Sequence, residues 1–374
     1  MSASTLVPVV APASNVRAPR RRTPPTPWLR YVVAVAAATT LILLAIPAMS
    51  GVPWTTIGAT LGAVPATGLS VLVLVWAVGL LAHTITLTAA LPGLSRRRAL
   101  TLSLTGSAVS NVLPLGGAAG VALNYRMART WGYDRNQFAA YTVVTNVWDI
   151  LAKLALPILA LPLLVLTAPA AVTQLLGPVA VATVLLALVA ALVLATFLSP
   201  KAAHVVGTVA ERLATAVLRG CGSQRQVHLH QHMTDLQSGC SRLVRKSWRQ
   251  LSLGMALYTG TLLLLLWGCL QLTGAGLSPT AVVAGFAIER LLTMPGLTPG
   301  GAGVVEVGLS SALLLLGGLP AGVVAGVLLY RALTFGLEIP VGGLGLLAWW
   351  WTRRHLTAPA VAETGLATTP AGPA

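Results

Sequence analysis

Charge is scarce in this chain. Only 9% of its 374 residues are Asp, Glu, Lys or Arg, where a soluble domain carries about 25%. Acidic residues are rarer still, 8 against 24 basic ones, for a net charge of +16. Aromatic residues make up 5%, too few for a base-stacking platform, so the positive charge does not point to nucleic acid. The three cysteines, Cys221, Cys240 and Cys269, are odd in number and match no metal or redox spacing. No G-x-S-x-G, P-loop or metalloprotease signature occurs. The expectations are therefore no enzyme activity, no cofactor, no metal and no direct use of nucleotide. His228, His230 and His232 alternate without a cysteine or carboxylate to complete a metal site, and read as part of a solvated loop.

What is present is apolar. Hydrophobic residues reach 56% and mean hydropathy is +0.82. The stretches 31–49, 67–91, 154–198 and 250–272 lack charge altogether, and 302–329 carries Glu306 alone. A bilayer-spanning helix needs about 20 apolar residues, so this is an all-α polytopic membrane protein. Residues 1–29 form a basic, Pro-rich tail with Arg20, Arg21 and Arg22 and no signal-peptide cleavage pattern; residues 353–374 form a second tail. Both are expected to be disordered and cytoplasmic, flanking a transmembrane domain over 30–352 with a cytoplasmic loop at 200–249.

Basic residues set topology in short loops. They cluster in the first tail, at Arg96–Arg98, at Arg126, Arg129 and Arg135, in 200–249 and at Arg353–Arg354, while 50–66, 168–172, 273–279 and 317–321 carry none. This pattern puts the clusters and both termini on the cytoplasmic side of the plasma membrane, against an anionic inner leaflet. Segment 101–125 has basic clusters at both ends and Asn111, Pro114, Gly116, Gly117 and Gly120 inside. It is expected to enter and turn back, with arms of about 11 residues, or about 16 Å. Segments 280–294 and 303–318, broken by Pro295, Pro299, Gly300, Gly301 and Gly303, form the opposite hairpin. Eight hydrophobic segments thus become about six transmembrane helices plus two opposed re-entrant hairpins. Segment 200–249 is expected to hold an interfacial helix built on Val205, Val209 and Leu213.

The two hairpins look alike. LPLGGAAG at 113–120 is followed by Gly132, Asp149 and Pro157. TPGGAGVVE at 298–306 is followed by Gly318, Arg331 and Pro340. With opposed topology this is an inverted repeat, a transporter signature.

The motif N-x-x-P-x-G-G (Asn111, Pro114, Gly116, Gly117), then Arg126 and Gly132, P-G-x-T-P-G-G-x-G-x-x-E (Pro295 to Glu306) and L-L-Y-R (Leu328 to Arg331) resembles the lysylphosphatidylglycerol synthase transmembrane-region, or flippase-like, family over roughly 30–350. In some members of that family such a domain is fused to a soluble lipid synthase and is implicated in moving the lipid product between leaflets. No synthase domain is expected after residue 355. The resemblance implies binding or translocation of an anionic or amino-modified membrane lipid, of phospholipid or polyprenyl-phosphate type. Two other readings stay open: a membrane-embedded transferase acting on a lipid carrier through Asp149 and Glu306, and a non-transporting partner of a separate lipid synthase.

Seven ionisable residues fall at membrane depth: Asp149, Lys153, Glu289, Arg290, Glu306, Arg331 and Glu338. Each costs on the order of 3 kcal/mol unless a cavity or partner receives it. Asp149 and Lys153 are spaced for an intrahelical ion pair. Arg331 and Glu338, seven apart, are expected on one face. Glu289 and Arg290 are adjacent and expected to point apart. Glu306 sits in a helix first turn, where the dipole favours it. The candidate substrate-binding set is Asn111, Gly116, Gly117, Asp149, Lys153, Arg290, Gly300, Gly301, Glu306, Arg331 and Glu338. In this reading, helix N-termini near Gly117 and Gly303 join Lys153, Arg290 and Arg331 around one cavity that holds a lipid phosphate. Glu306 or Glu338 meets a cationic headgroup or carries a proton.

Overall fold

A computed structural model describes residues 27–113, 116–167, 176–198, 208, 230–294 and 299–356. The described elements are helical throughout: α1 (Pro27–Ser50), α2 (Trp54–Gly62), α3 (Ala66–Ala90), α4 (Arg96–Val112), α5 (Gly116–Thr130), α6 (Arg135–Thr167), α7 (Leu176–Leu198), α8 (His230–Leu272), α9 (Pro279–Leu292), α10 (Val304–Leu315), α11 (Pro320–Arg331) and α12 (Glu338–Leu356). A 3-10 turn, Pro299–Gly301, precedes α10, and a π-helical turn, Ala332–Gly336, links α11 to α12.

Among the described residues four stretches are long and apolar enough to cross a membrane: Ala66–Ala90, Arg135–Ala160, Gly239–Leu272 and Pro320–Arg353. A fifth is added if Val35–Ser50 and Trp54–Gly62, bent by 93°, count as one. The expected count of six is thus met in part. In the 172–198 region the apolar stretch that qualifies is the shorter Thr183–Leu192, and residues 172–175 lie outside the described set, as does the expected interfacial helix around Val205.

The frame is the α3–α8 pair. Gly79 faces Thr261, Gly254 faces Thr86, and Thr86 Oγ1 donates to Leu251 O at 3.2 Å. The partner number falls as the α3 number rises, so the two helices are antiparallel. The glycines let the backbones approach: a Cβ on Gly254 would stand 2.6 Å from Thr86 N. Close backbone approach is how membrane helices gain packing energy where lipid is as apolar as leucine.

Two helical hairpins pack at opposite ends of this frame. Early α3 (Leu72, Trp76) and late α8 (Leu265, Cys269) share a buried cluster with α9 and α10, through Phe286, Leu309 and Leu313. Late α3 (Leu87, Ala90) and early α8 (Cys240, Val244) share another with α4, α5 and α6, through Leu102, Met127 and Phe138. The α4–α5 pair is antiparallel, with Ser110 against Gly116, Gly106 against Asn124, and Thr105 Oγ1 to Met127 Sδ at 3.5 Å. The α9–α10 pair is likewise antiparallel, Gly285 on Leu313 and Leu292 on Gly308. Helix α12 packs on α4, and α9 packs on α6, so each hairpin touches the long helix that follows the other one.

Three expectations about boundaries need correction. The arms of the first hairpin are 17 and 15 residues rather than about 11. Ser95 caps α4, its Oγ accepting from Arg98 N–H at 3.4 Å, and Arg96–Arg98 are good helix formers, so the helix starts in the basic cluster. Residues 230–249 are not loop but the first part of α8. Cys240, Val244 and Leu251 recur at helical spacing and are buried, leaving Arg242, Arg245 and Arg249 for the other face. The 322–351 segment is not one uniform helix, because the π-helical turn interrupts it.

The α3–α8 contact makes a prediction. Gly254→Leu should cost about 1–3 kcal/mol through overpacking. Gly260→Leu should be near neutral, since a Cβ there would meet nothing within 4 Å. Thermal unfolding in detergent distinguishes the two; equal shifts would contradict the packing described.

Candidate functional site

Polar side chains at helical spacing open a cavity inside the apolar bundle. Helix α4 supplies Ser103, Ser107 and Ser110; α5 supplies Gly117, Gly120 and Asn124; α6 supplies Tyr141, Thr145, Asn146 and Asp149. Helix α3 adds His83, α8 adds Tyr258 and α12 adds Glu338, lining an open cavity of about 340 Å³. The volume lies in the range of small-ligand pockets. His83 and Tyr258 stack with centroids 4.4 Å apart, and His83 Nδ1 lies 3.2 Å from Ser103 Oγ. Trp148 Nε1 donates to Ser252 Oγ at 3.1 Å, tying α6 to α8 behind the wall. Several wall donors are already spent on helix carbonyls: Thr145 Oγ1 on Tyr141 O (2.9 Å) and Asn146 Nδ2 on Thr142 O (2.7 Å). Among the described residues Asn124 Oδ1, which is buried, has no hydrogen-bond partner.

All three intramembrane cations are paired. Lys153 Nζ lies 2.8 Å from Asp149 Oδ2. Asp149 is the more open member, 40% exposed against 16% for Lys153, and it faces the cavity. Arg290 doubles back onto Glu289 and also donates to Tyr330 Oη at 3.2 Å. Arg331 Nε donates to Glu306 Oε1 at 2.8 Å and its Nη2 to Gly300 O at 2.7 Å. Glu306 Oε2 in turn accepts from Gly303 N–H at 2.7 Å. Of the four carboxylates at this depth, Glu338 stands apart from these pairs. It is buried and accepts a hydrogen bond from Ser107 Oγ, with no cation in ion-pair contact among the described residues. The Trp76 indole faces the same carboxylate without forming a well-shaped hydrogen bond.

Two sequence expectations are overturned here. Glu289 and Arg290 do not point apart. Their Cα–Cβ vectors diverge by about 100°, but the long guanidinium arm lies over the Phe286 ring, 5.1 Å from its centroid, and returns to the carboxylate. Arg331 and Glu338 do not share a face, because the π-helical turn adds a residue and turns the downstream helix by about 100°. Arg331 therefore meets α10, and Glu338 meets α4.

The candidate residues divide into two groups. Gly117, Asp149 and Glu338 line the cavity, and Lys153 stands behind Asp149. Gly116 presses on the Ser110 backbone, where a Cβ would overlap it. Asn111, Gly300, Gly301, Glu306 and Arg331 gather at the second glycine turn, with Arg290 nearby in its own pair. Gly300 has φ +58° and its Cβ position lies 2.8 Å from Asn111 Oδ1. Of the two helix starts, Gly117 lines this cavity and Gly303 does not, and Lys153, Arg290 and Arg331 are each paired with a carboxylate. Arg331 and Gly303 N–H are satisfied by Glu306 before any ligand arrives. The residues overlooked by the sequence reading are His83, Ser103, Ser107, Ser110, Asn124, Tyr141, Thr145, Asn146 and Tyr258. Their signal was the i, i+4, i+7 run of serines on α4 and the i, i+4, i+8 run Tyr141, Thr145, Asp149 on α6. Among the described residues no group of His, Cys, Asp and Glu is arranged to hold a metal.

Residues 28–342 match the sequence model of the family described as Lysylphosphatidylglycerol synthase TM region. No curated protein matches the chain.

The Arg331 clamp makes its own prediction. Arg331→Ala strands Glu306 as an uncompensated buried charge and should cost about 3–5 kcal/mol. The double variant Arg331→Ala with Glu306→Ala should recover most of that loss in thermal unfolding. Simple additivity of the two single variants would show that the pair is not coupled.

Proposed function

The chain belongs to the lysylphosphatidylglycerol synthase TM region family, and from that premise we propose that it carries a membrane lipid between leaflets with the headgroup in the polar cavity. The observation behind this reading is Glu338, a buried carboxylate with no cation in ion-pair contact among the described residues, on the wall of a hydroxyl-lined cavity. Moving a bare headgroup through hydrocarbon strands its polar groups at several kcal/mol each. A wall of serine, tyrosine and asparagine replaces the lost water. Asp149 and Glu338 give the cavity acceptors for an ammonium or a polyhydroxyl end, so an amino-modified lipid fits better than a bare phosphate. The product of a separate lipid synthase is the matching partner.

The alternative of an intramembrane transferase asked for Asp149 and Glu306 to act together. Glu306 is held by Arg331 and Gly303 and does not line the cavity, which favours transport over chemistry.

The antiparallel α3–α8 frame, with hairpins at opposite ends, supports an inverted repeat with six spans and two opposed re-entrant hairpins. Each half then runs long helix, hairpin, long helix. The end that carries Arg96–Arg98, Arg126, Arg129, Arg135 and Arg353 is the cytoplasmic one in this reading. Arg98 lies over Trp131 (5.2 Å) and Arg353 over Trp349 (5.6 Å), which suits interfacial anchoring.

Both parts are testable. In proteoliposomes, Glu338→Gln keeps the shape and the Ser107 contact but should slow translocation of an amino-modified phospholipid at least about tenfold; an unchanged rate would sink the assignment. In a cysteine-free background, Thr56→Cys and Ser278→Cys should react with an impermeant maleimide from outside, and Arg126→Cys only after permeabilisation. External labelling at position 126 would reverse the topology.

A further inference from the structure

Glu338 opens helix α12 with its charged and polar neighbours accounted for one by one. From α4, Ser107 Oγ donates to its Oε2. From α3, the Trp76 indole faces it. The guanidiniums that act on it through space, Arg331 on α11 and Arg290 on α9, are each bound to a glutamate of their own. The cavity that it lines also holds His83 and Tyr258, stacked on each other, and Asp149, which Lys153 holds. Among the described residues none makes an ion pair with Glu338. A bare carboxylate at this depth costs on the order of 3 kcal/mol. Two occupants can remove that charge: a proton, or an ammonium brought by a ligand. Both act on the same carboxylate, so they exclude each other. The cavity is open, so either one can arrive from water and leave to it.

We propose that Glu338 trades a proton for the ammonium of the lipid headgroup, so that the chain exchanges one proton for each ammonium it moves. The step balances. The carboxylic O–H bond breaks, its proton leaves to water in the cavity, and the ammonium N–H groups pair with the carboxylate. On release of the lipid, the carboxylate takes a proton from the receiving side. Glu338 is thus neutralised in both loaded states and bare only in the empty one, which its buried setting disfavours. That cost is what ties the two fluxes together. The exchange rests on the lipid-carrier reading and adds an energy source to it, the proton gradient across the membrane.

The test uses the full chain in nanodiscs, weakly buffered at about pH 6, where the lipid's own amines stay protonated. The probes are short-chain lysylphosphatidylglycerol and short-chain phosphatidylglycerol, which lacks an ammonium. An indicator dye should report about one proton released per lysyl lipid bound and none with phosphatidylglycerol. In infrared difference spectra, the stretch of a protonated carboxyl should vanish as the lysyl lipid binds. Glu338→Gln should lose both signals and Glu338→Asp should keep them, a pattern that a purely structural role would not produce. Lowering the pH by one unit should weaken wild-type binding up to about tenfold and leave Glu338→Gln binding unchanged. The wild-type signals decide alone if the glutamine variant does not fold. Binding of the lysyl lipid without proton release overturns the exchange and leaves the carrier reading standing. A wild type that does not prefer the lysyl lipid over phosphatidylglycerol overturns both.

Discussion

The ion pair between Arg331 and Glu306 sets the terms for the second half of the molecule. A guanidinium at this depth needs a counter-charge, and Glu306 supplies it across two elements, α11 and α10. The same arginine holds the Gly300 carbonyl, and the same glutamate caps Gly303. Four groups that would each be expensive in hydrocarbon satisfy one another. The glycine turn can therefore sit among apolar helices, with the Phe335 ring 5.1 Å below the guanidinium. Because Arg331 is committed to α10, the π-helical turn that follows is free to carry Glu338 toward α4.

The first hairpin meets the same constraint differently. Among the described residues no arginine clamps its turn. Its inner face carries hydroxyls and small residues, and the space left between Ser107, Gly120 and Asp149 is a cavity rather than a packed core. The halves share an order of elements but differ in chemistry. One is closed by its own ion pairs, and the other stays open with a carboxylate in reserve. Under the proposed function, a headgroup with a cationic or hydroxylated end would meet complementary atoms in the open half at little reorganisation cost.

Much of the architecture was legible in the sequence, because its signals are local. Uncharged stretches located the long helices, and Gly116, Gly117, Gly300 and Gly301 located both turns. Asp149 and Lys153 paired as their spacing implied. What escaped depends on contacts distant in the chain or on a change of helical period. No spacing rule places Ser107 beside Glu338, 231 residues away, and none announces the π-helical turn that separates Arg331 from Glu338. The Glu289–Arg290 pair escaped because side-chain length outweighed backbone direction. Residues 230–249 were mistaken for loop because charge density concealed the buried line through Cys240, Val244 and Leu251.

The central claim is that the polar cavity houses a lipid headgroup. Site-specific photo-crosslinking addresses it most directly. A photoreactive residue at Val121, on the cavity wall, is compared with one at Leu344, which faces outward from α12 at 66% exposure. Both variants are reconstituted in a membrane of mixed phospholipids that includes an amino-modified one, and the adducts are identified by mass. The account predicts that adducts at position 121 are enriched in the amino-modified lipid, while those at 344 mirror the bulk mixture. The same composition at both positions would contradict it.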